Sequence, residues 1–284
     1  MAIIKYIKNT LKFFKKKGYK SGGVTEARIA TLDYNNRLEG KWVLITGGSS
    51  GIGFATAEAC IKAGARVIIT GRNENKLQNA ITNLGNCSFS IKWDVCELNF
   101  MDDVVDQIYK ITNGNFIDCL VCNAGSTTKT KFEDFTEPEY MKLLDTHLKA
   151  NFFLVQRIIK EWESKKISGC IVAVSSHSGL KAEPDPYYLA KAGLNHFVKA
   201  IGKRGLEYGT PIRCNAVCPG PTLSDIGFEF TEAKNSGNIY RNSSRSKRYA
   251  MSEEVAEVIL FLLSEESKTC TGQIIACDMG SSIL

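Results

Sequence analysis

The stretch Trp42-Val-Leu-Ile-Thr-Gly-Gly-Ser-Ser-Gly-Ile-Gly53 reads as a strand, a tight turn and the start of a helix. Val43, Leu44 and Ile45 form the short apolar run that a parallel strand buried on both faces requires, and Phe54 to Ala63 has a helix-forming composition. Gly47, Gly51 and Gly53 stand between them with the spacing GxxxGxG. Glycine frees the backbone at such a turn and lets a pyrophosphate approach the N–H groups at a helix N-terminus, whose dipole favours the anion. The spacing differs from GxGxxG, and the Lys-Ser/Thr ending of a phosphate-binding P-loop is missing, which disfavours a Walker site. For the turn taken alone, a glycine-rich connection that binds nothing is the alternative.

Outward from this turn the chain alternates strand and helix about every fifteen residues, without internal repeats. The pattern predicts strands near 42–46, 66–70, 88–93, 117–122, 169–175, 211–217 and 273–277, with helices near 52–63, 74–84, 100–112, 138–164, 187–206 and 252–264. Such alternation implies right-handed crossovers and an α/β fold: a doubly wound (Rossmann) parallel sheet of about seven strands with helices on both faces. Ligands of such sheets bind at the carboxyl ends of the strands. Asp94, Asn123-Ala124-Gly125, Ser175-Ser176 and Pro219-Gly220 all follow predicted strands, so they are expected to share one crevice. Residues 225–250 are polar, interrupt the alternation and read as a substrate lid.

The 284 residues, 44% apolar, are enough for one substantial core, expected over residues 41–284. Net charge is +6, yet residues 1–20 hold seven lysines and no acid, leaving residues 21–284 at −1. That near-neutral remainder lacks the clustered basic face of a nucleic-acid binder. At helical spacing Ile3, Ile4, Ile7, Leu11 and Phe14 form a stripe beside Lys5, Lys8, Lys12, Lys15 and Lys16. A basic amphipathic helix of this kind suits peripheral contact of residues 1–17 with an anionic membrane, or an arm packed on a partner subunit, and is too short and charged to span a bilayer. Residues 21–40 read as linker and lead-in. Ten cysteines are scattered, mostly in apolar segments, with no secretory signal before them; they read as reduced core thiols of a cytoplasmic protein. Cys119-x-x-Cys122 and Cys214-x-x-x-Cys218 lie on strands, where such neighbours do not converge on one metal.

Tyr187 and Lys191 are four apart at the start of a predicted helix and so share a face. An ammonium there favours the phenolate, lowering a pKa of about 10 toward a useful value, while a nearby hydroxyl holds a substrate carbonyl. Ser176 is the candidate hydroxyl and Ser175 the runner-up.

Taken together, Thr46-Gly-Gly-Ser-Ser-Gly-Ile-Gly53, Asn123-Ala-Gly125, Ser176, Tyr187-x-x-x-Lys191 and Pro219-Gly220 resemble, in order, the motifs of the short-chain dehydrogenases/reductases. The similarity spans about residues 38–284 and is to the compact branch that includes the 3-oxoacyl carrier-protein reductases. It implies NAD(P)-dependent carbonyl/alcohol interconversion on a small-molecule substrate, with Tyr187 as general acid/base, Lys191 on the nicotinamide ribose and Ser176 orienting the substrate oxygen. Cofactor contacts are expected from Thr46, Gly47, Ser49, Ser50, Gly51, Ile52, Gly53, Arg72, Asp94, Val95, Asn123, Ala124, Gly125, Tyr187, Lys191, Pro219 and Gly220, and a homodimer or homotetramer through the long helices.

The Ser–Tyr segment is about two residues shorter than in many relatives, and His147 stands where the family usually has an asparagine of the proton relay. Asp278-Met279-Gly280 replaces a common Asp-Gly-Gly. His147 is accordingly a candidate relay residue titrating near 6.5, with an ordinary histidine in a helix interface as the alternative. After the second strand, Thr70-Gly71-Arg72 offers a guanidinium and no acid, which favours NADP(H) over NAD(H). A nucleotide-binding regulatory protein of the same fold without turnover is the reading from another class; the intact Ser, Tyr and Lys oppose it. The glycine spacing disfavours an epimerase or dehydratase of the longer branch.

Overall fold

The structure, a computed structural model, describes residues 36–207, 211–223 and 249–283. The seven main strands are β1 (Trp42–Thr46), β2 (Arg66–Gly71), β3 (Ser88–Lys92), β4 (Cys119–Cys122), β5 (Cys170–Val174), β6 (Arg213–Pro219) and β9 (Ile274–Cys277). All pair in parallel, in the order β3-β2-β1-β4-β5-β6-β9. The order reverses between β1 and β4, so the loops leaving these two strands open a crevice at their carboxyl ends.

Helices α1 (Gly51–Lys62), α2 (Glu74–Leu84) and α7 (Ser252–Leu263) cover one face; α3 (Met101–Ile111), α5 (Ala150–Lys165) and α6 (Pro186–Glu207) cover the other. Alternation along each strand explains the division. Val43, Ile45, Val67, Ile69, Val121 and Val172 pack under the first group, whereas Leu44, Ile68, Leu120 and Ile171 pack under the second. With both faces covered, the central strands β4 and β5 are apolar and buried throughout, as residues 43–45 of β1 are. On the second face Trp162 of α5 is fully buried and donates its indole N–H to Ile117 O at 2.6 Å.

Several expectations need correction. The helix predicted over 138–164 is interrupted: α4 (Glu137–Leu144) passes through a π-turn, Asp145–Lys149, before α5 begins. The residues on either side of a π-turn remain helical, so a sequence reading that looks for helix continuity runs through it. The folded unit starts before residue 41. Leu38 is buried, its N–H bonds Ala63 O at 2.8 Å, and Arg37 pairs with Glu266 at 3.3 Å. Two short strands absent from the sequence reading, β7 (Thr222–Leu223) and β8 (Ala250–Met251), pair in parallel at the two ends of the expected lid. Within that lid, residues 225–248 lie outside the described residues, as do residues 1–17. All ten cysteines are free, but Cys87 is exposed and Cys96, Cys270 and Cys277 only partly buried, so the thiols are not uniformly core. Cys119 and Cys122 point to opposite faces of β4.

Candidate active site

The glycine turn is shaped by residues on the neighbouring strand. Gly47 has φ +66° and Gly51 φ +55°, both in the left-handed region. A Cβ on Gly53 would run into the Gly47 carbonyl and the Asn123 amide, so α1 reaches β1 only with glycine there. Gly48, to which the GxxxGxG spacing assigns no part, is equally constrained: a Cβ would lie 2.5 Å from Ile69 Cγ2. The second glycine of the doublet was the available signal.

Asn123 Nδ2 donates to Thr46 O and Gly47 O at 2.9 and 3.0 Å. Thr46 Oγ1 accepts the N–H groups of Asn123 and Ala124, each at 3.0 Å. Thr46 is thus a fastener between β1 and β4. Its side chain is buried and committed to these bonds. The Val95 side chain belongs to the core under α3. Ser49, Ser50, Gly51, Ile52, Asp94, Asn123, Ala124, Gly125 and Gly220 remain partly accessible, while Pro219 closes the end of β6 and is buried.

This cradle fits a dinucleotide. A close-packed glycine turn delivers the start of the twelve-residue α1, and the Ser50 N-cap position makes no side-chain cap hydrogen bond. Beside it, Gly71 has only ordinary contacts, with Leu77 Cδ2 at 3.4 Å and Ser49 Oγ at 3.5 Å from where a Cβ would stand. Arg72 is largely exposed, and its guanidinium lies 3.8 Å from Asp94. Exposed pairs of this kind contribute about 1 kcal/mol at most, so Arg72 can exchange partners.

Ser176 ends the loop after β5. Its Oγ accepts Ser178 N–H at 3.1 Å and begins a short 3-10 turn, His177–Leu180. Helix α6 starts at Pro186 with Asp185 before it, whose carboxylate accepts Tyr187 N–H at 2.7 Å. This cap sets Tyr187 at the first turn and Lys191 one turn on. The Ser176 hydroxyl approaches the Tyr187 phenol and eases its ionisation, whereas Ser175 turns away to donate to Lys191 O at 3.3 Å. The geometry therefore separates the two serines that the sequence left open.

Lys191 is 4% exposed and donates its Nζ to Val174 O at 2.8 Å. Burial pushes its pKa down to about 8. Tyr187 moves the other way. Although Lys191 Nζ lies 5.6 Å from its ring centroid, desolvation pushes the phenol up to about 12. Low-dielectric surroundings thus outweigh the lowering expected from the Lys191 ammonium.

His147, in the π-turn, is 1% exposed, and its ring stands edge-on to Tyr187. Its Nε2 is 2.6 Å from Ser126 O and 3.2 Å from Ser126 N. The shorter contact makes Nε2–H the donor to Ser126 O and leaves Nδ1 as an acceptor. Nδ1 and Ser126 Oγ are buried without a protein partner. A side chain on Gly125 would meet His147 Cε1 at 2.9 Å, so glycine here admits the imidazole. Burial first, then the Lys191 cation, holds His147 well below 6.5, which overturns the expected titration near that value. Asn151, which the sequence did not single out, donates to His147 O at 2.7 Å and closes the turn.

The family model described as Enoyl-(Acyl carrier protein) reductase matches residues 47–282. The chain belongs to the short-chain dehydrogenase/reductase family. A 3-oxoacyl-[acyl-carrier-protein] reductase of Rickettsia prowazekii (strain Madrid E) is 35% identical over 248 residues, covering 86% of this chain and 97% of the relative. A glucose 1-dehydrogenase of Gluconobacter oxydans (strain 621H) is 30% identical over 259 residues, 88% of this chain and 95% of the relative. Among solved structures, a short-chain type dehydrogenase/reductase from Mycobacterium marinum aligns with a TM-score of 0.80 at 27% identity, covering 88% of this chain and 99% of that one. A short chain dehydrogenase from Bacillus anthracis aligns with a TM-score of 0.75 at 30% identity, over 85% and 96% of the two chains. As a short-chain dehydrogenase/reductase, the protein is an NAD(P)-dependent oxidoreductase that interconverts carbonyl and alcohol groups. Among the described residues no helix is long and apolar enough to cross a membrane.

Proposed function

We propose that the protein reduces a small-molecule carbonyl to a secondary alcohol, or runs the reverse reaction, using NADP(H) in preference to NAD(H). The observation that carries the reading is the convergence of Ser176, Tyr187 and Lys191 at the carboxyl end of β5, beside the cradle at β1. A bound nicotinamide supplies or accepts the hydride. Ser176 orients the substrate oxygen. Tyr187, held protonated by its surroundings, donates a proton to that oxygen as the carbonyl is reduced. Lys191, fixed by Val174 O, holds the nicotinamide ribose and stabilises the phenolate left behind. His147 Nδ1, a buried acceptor on the ring that meets Tyr187, orients the donor that returns the proton. Gly71 leaves room for a ribose 2′-phosphate and Arg72 pairs with it.

The same reading makes α5 and α6 the subunit interface of a homodimer or homotetramer, since Phe152, Phe153 and Leu189 are exposed there at 42%, 40% and 56%. It gives the basic stripe of residues 1–17 reversible contact with an anionic membrane surface from a cytoplasmic location. A chain beginning at Thr25 is expected to keep turnover and lose liposome binding.

The deciding experiment follows NADPH and NADH consumption over ketones, oxoacyl thioesters, sugars and steroids. Tyr187→Phe is expected to lower kcat about a hundredfold or more, in keeping with general acid/base contributions. Wild-type turnover in that variant would remove Tyr187 from the chemistry.

A further inference from the structure

Tyr187, Lys191 and Asn195 are spaced four apart on α6 and share one face. The first two serve the proposed chemistry; the third is buried, with 7% exposure, and has no part in it. Its side chain bridges the turn that follows β5 and a side chain of β6. Nδ2 donates to Gly179 O at 3.1 Å, within the 3-10 turn that Ser176 begins, and Oδ1 accepts the thiol of the fully buried Cys218 at 3.7 Å, near the end of β6. The same sulfur is approached by the Ser175 hydroxyl and the Ser176 N–H. Gly179 N–H in turn bonds Ser176 O at 3.0 Å. Gly179 also lies so close to α6 that a Cβ would stand 2.8 Å from both Asn195 Nδ2 and the Lys191 carbonyl carbon.

Helix α6 therefore carries Tyr187 and, two turns later, the group that grips the Ser176 turn. We propose that Asn195, with Cys218 behind it, is a positioning residue that sets Ser176 against Tyr187 and so raises turnover without touching substrate or cofactor. A hydroxyl must meet the substrate oxygen within a few tenths of an ångström to orient it, and a loop held only by its own 3-10 turn does not maintain such a tolerance. An amide suits the task because it offers a donor to one element and an acceptor to the other at once. This inference rests on the proposed role of Ser176.

The test is a double-mutant cycle on the full chain, with kcat, KM and NADPH affinity measured for Asn195→Leu, Ser176→Ala and the pair. Asn195→Leu should lower kcat at least tenfold and leave NADPH affinity within twofold. In the Ser176→Ala background it should cost less than twofold more, because the group it positions is gone. Cys218→Ser, which keeps a donor and an acceptor, should stay within threefold of wild type, while Cys218→Ala loses about tenfold in kcat. A multiplicative cycle, or equal losses in kcat and NADPH affinity, overturns the positioning role. If Asn195→Leu does not fold, the two Cys218 variants decide, and equal activity in both overturns it. Full activity in Ser176→Ala would instead refute the role of Ser176 on which the inference rests.

Discussion

The rings of His147 and Tyr187 meet edge to face, their centroids 5.0 Å apart and their planes at 89°. His147 presents its Nε2 to the backbone of Ser126, so the loop leaving β4, the π-turn and the first turn of α6 are joined through one imidazole. Buried and close to the Lys191 ammonium, that imidazole remains neutral where an exposed histidine would titrate.

Two consequences follow for pH. His147→Asn should retain turnover at pH 8, His147→Leu should lower it about tenfold or more by removing the acceptor, and neither wild type nor variant should show a limb near 6.5 from this residue. Because the folded pKa lies below the unfolded value of 6.5, the unfolded chain binds the extra proton as pH falls. Stability contributed by His147 is present above 6.5 and is lost below it, by about 1.4 kcal/mol per pH unit until the folded pKa is reached. Denaturant melts at pH 7, 6 and 5 should show this slope in wild type and a shallower one in His147→Asn; equal slopes would mean that the buried imidazole already carries its proton.

Alkaline stability is governed by thiols. Burial pushes Cys60 and Cys122 up to about 12 and Cys170 to about 11, and raises Cys119 and Cys214 as well. These groups stay protonated in the fold while the unfolded chain ionises them from about 8.5, so stability is complete below that pH and declines above it, by about 1.4 kcal/mol per unit for each thiol. Lys191 opposes with one group, since between about 8 and 10.5 the unfolded chain retains a proton that the fold has released. Five thiols outweigh one ammonium. The melting temperature under reducing conditions should fall from pH 9 to 10.5; a constant or rising value would contradict the burial of these side chains.

Cofactor choice turns on two adjacent positions. Arg72→Ala should weaken NADPH binding about tenfold or more, the usual size of a charge-assisted hydrogen bond, and leave NADH nearly unaffected. Gly71→Asp, which the ordinary contacts around Gly71 permit, should reverse the preference by bringing a carboxylate to the ribose. Equal losses for both nucleotides in Arg72→Ala would show that the guanidinium does not read the phosphate.

Thr46→Val keeps the shape of a buried side chain and removes the acceptor of two backbone N–H groups. Leaving such donors unpaired costs about 2 kcal/mol or more. The variant should melt lower and bind both nucleotides more weakly, because Asn123 and the glycine turn lose their shared anchor. Unaltered stability would mean that water replaces the hydroxyl.

The amino-acid sequence by itself determined the fold and the roll of chemical groups. Apolar runs such as Val43–Ile45 and Val67–Ile69 can be buried on both faces only in a covered parallel sheet, and the turn at Gly47, Gly51 and Gly53 needs backbone angles and closeness that other residues resist. These are local or periodic properties, legible along the chain. A spacing of four residues likewise brought Tyr187 and Lys191 to one face.

What each group does was decided by tertiary structure. Thr46 became a fastener, Val95 core, and Ser176 rather than Ser175 the partner of Tyr187, because each outcome depends on which strand or helix lies opposite. The π-turn at Asp145–Lys149 and the grip of Asn195 on Gly179 join segments that periodicity treats as independent. Charge states are the clearest case. A sequence supplies reference pKa values, but the desolvation that lifts Tyr187, lowers Lys191 and silences His147 arises only when α6, the π-turn and the β4 loop exclude water together.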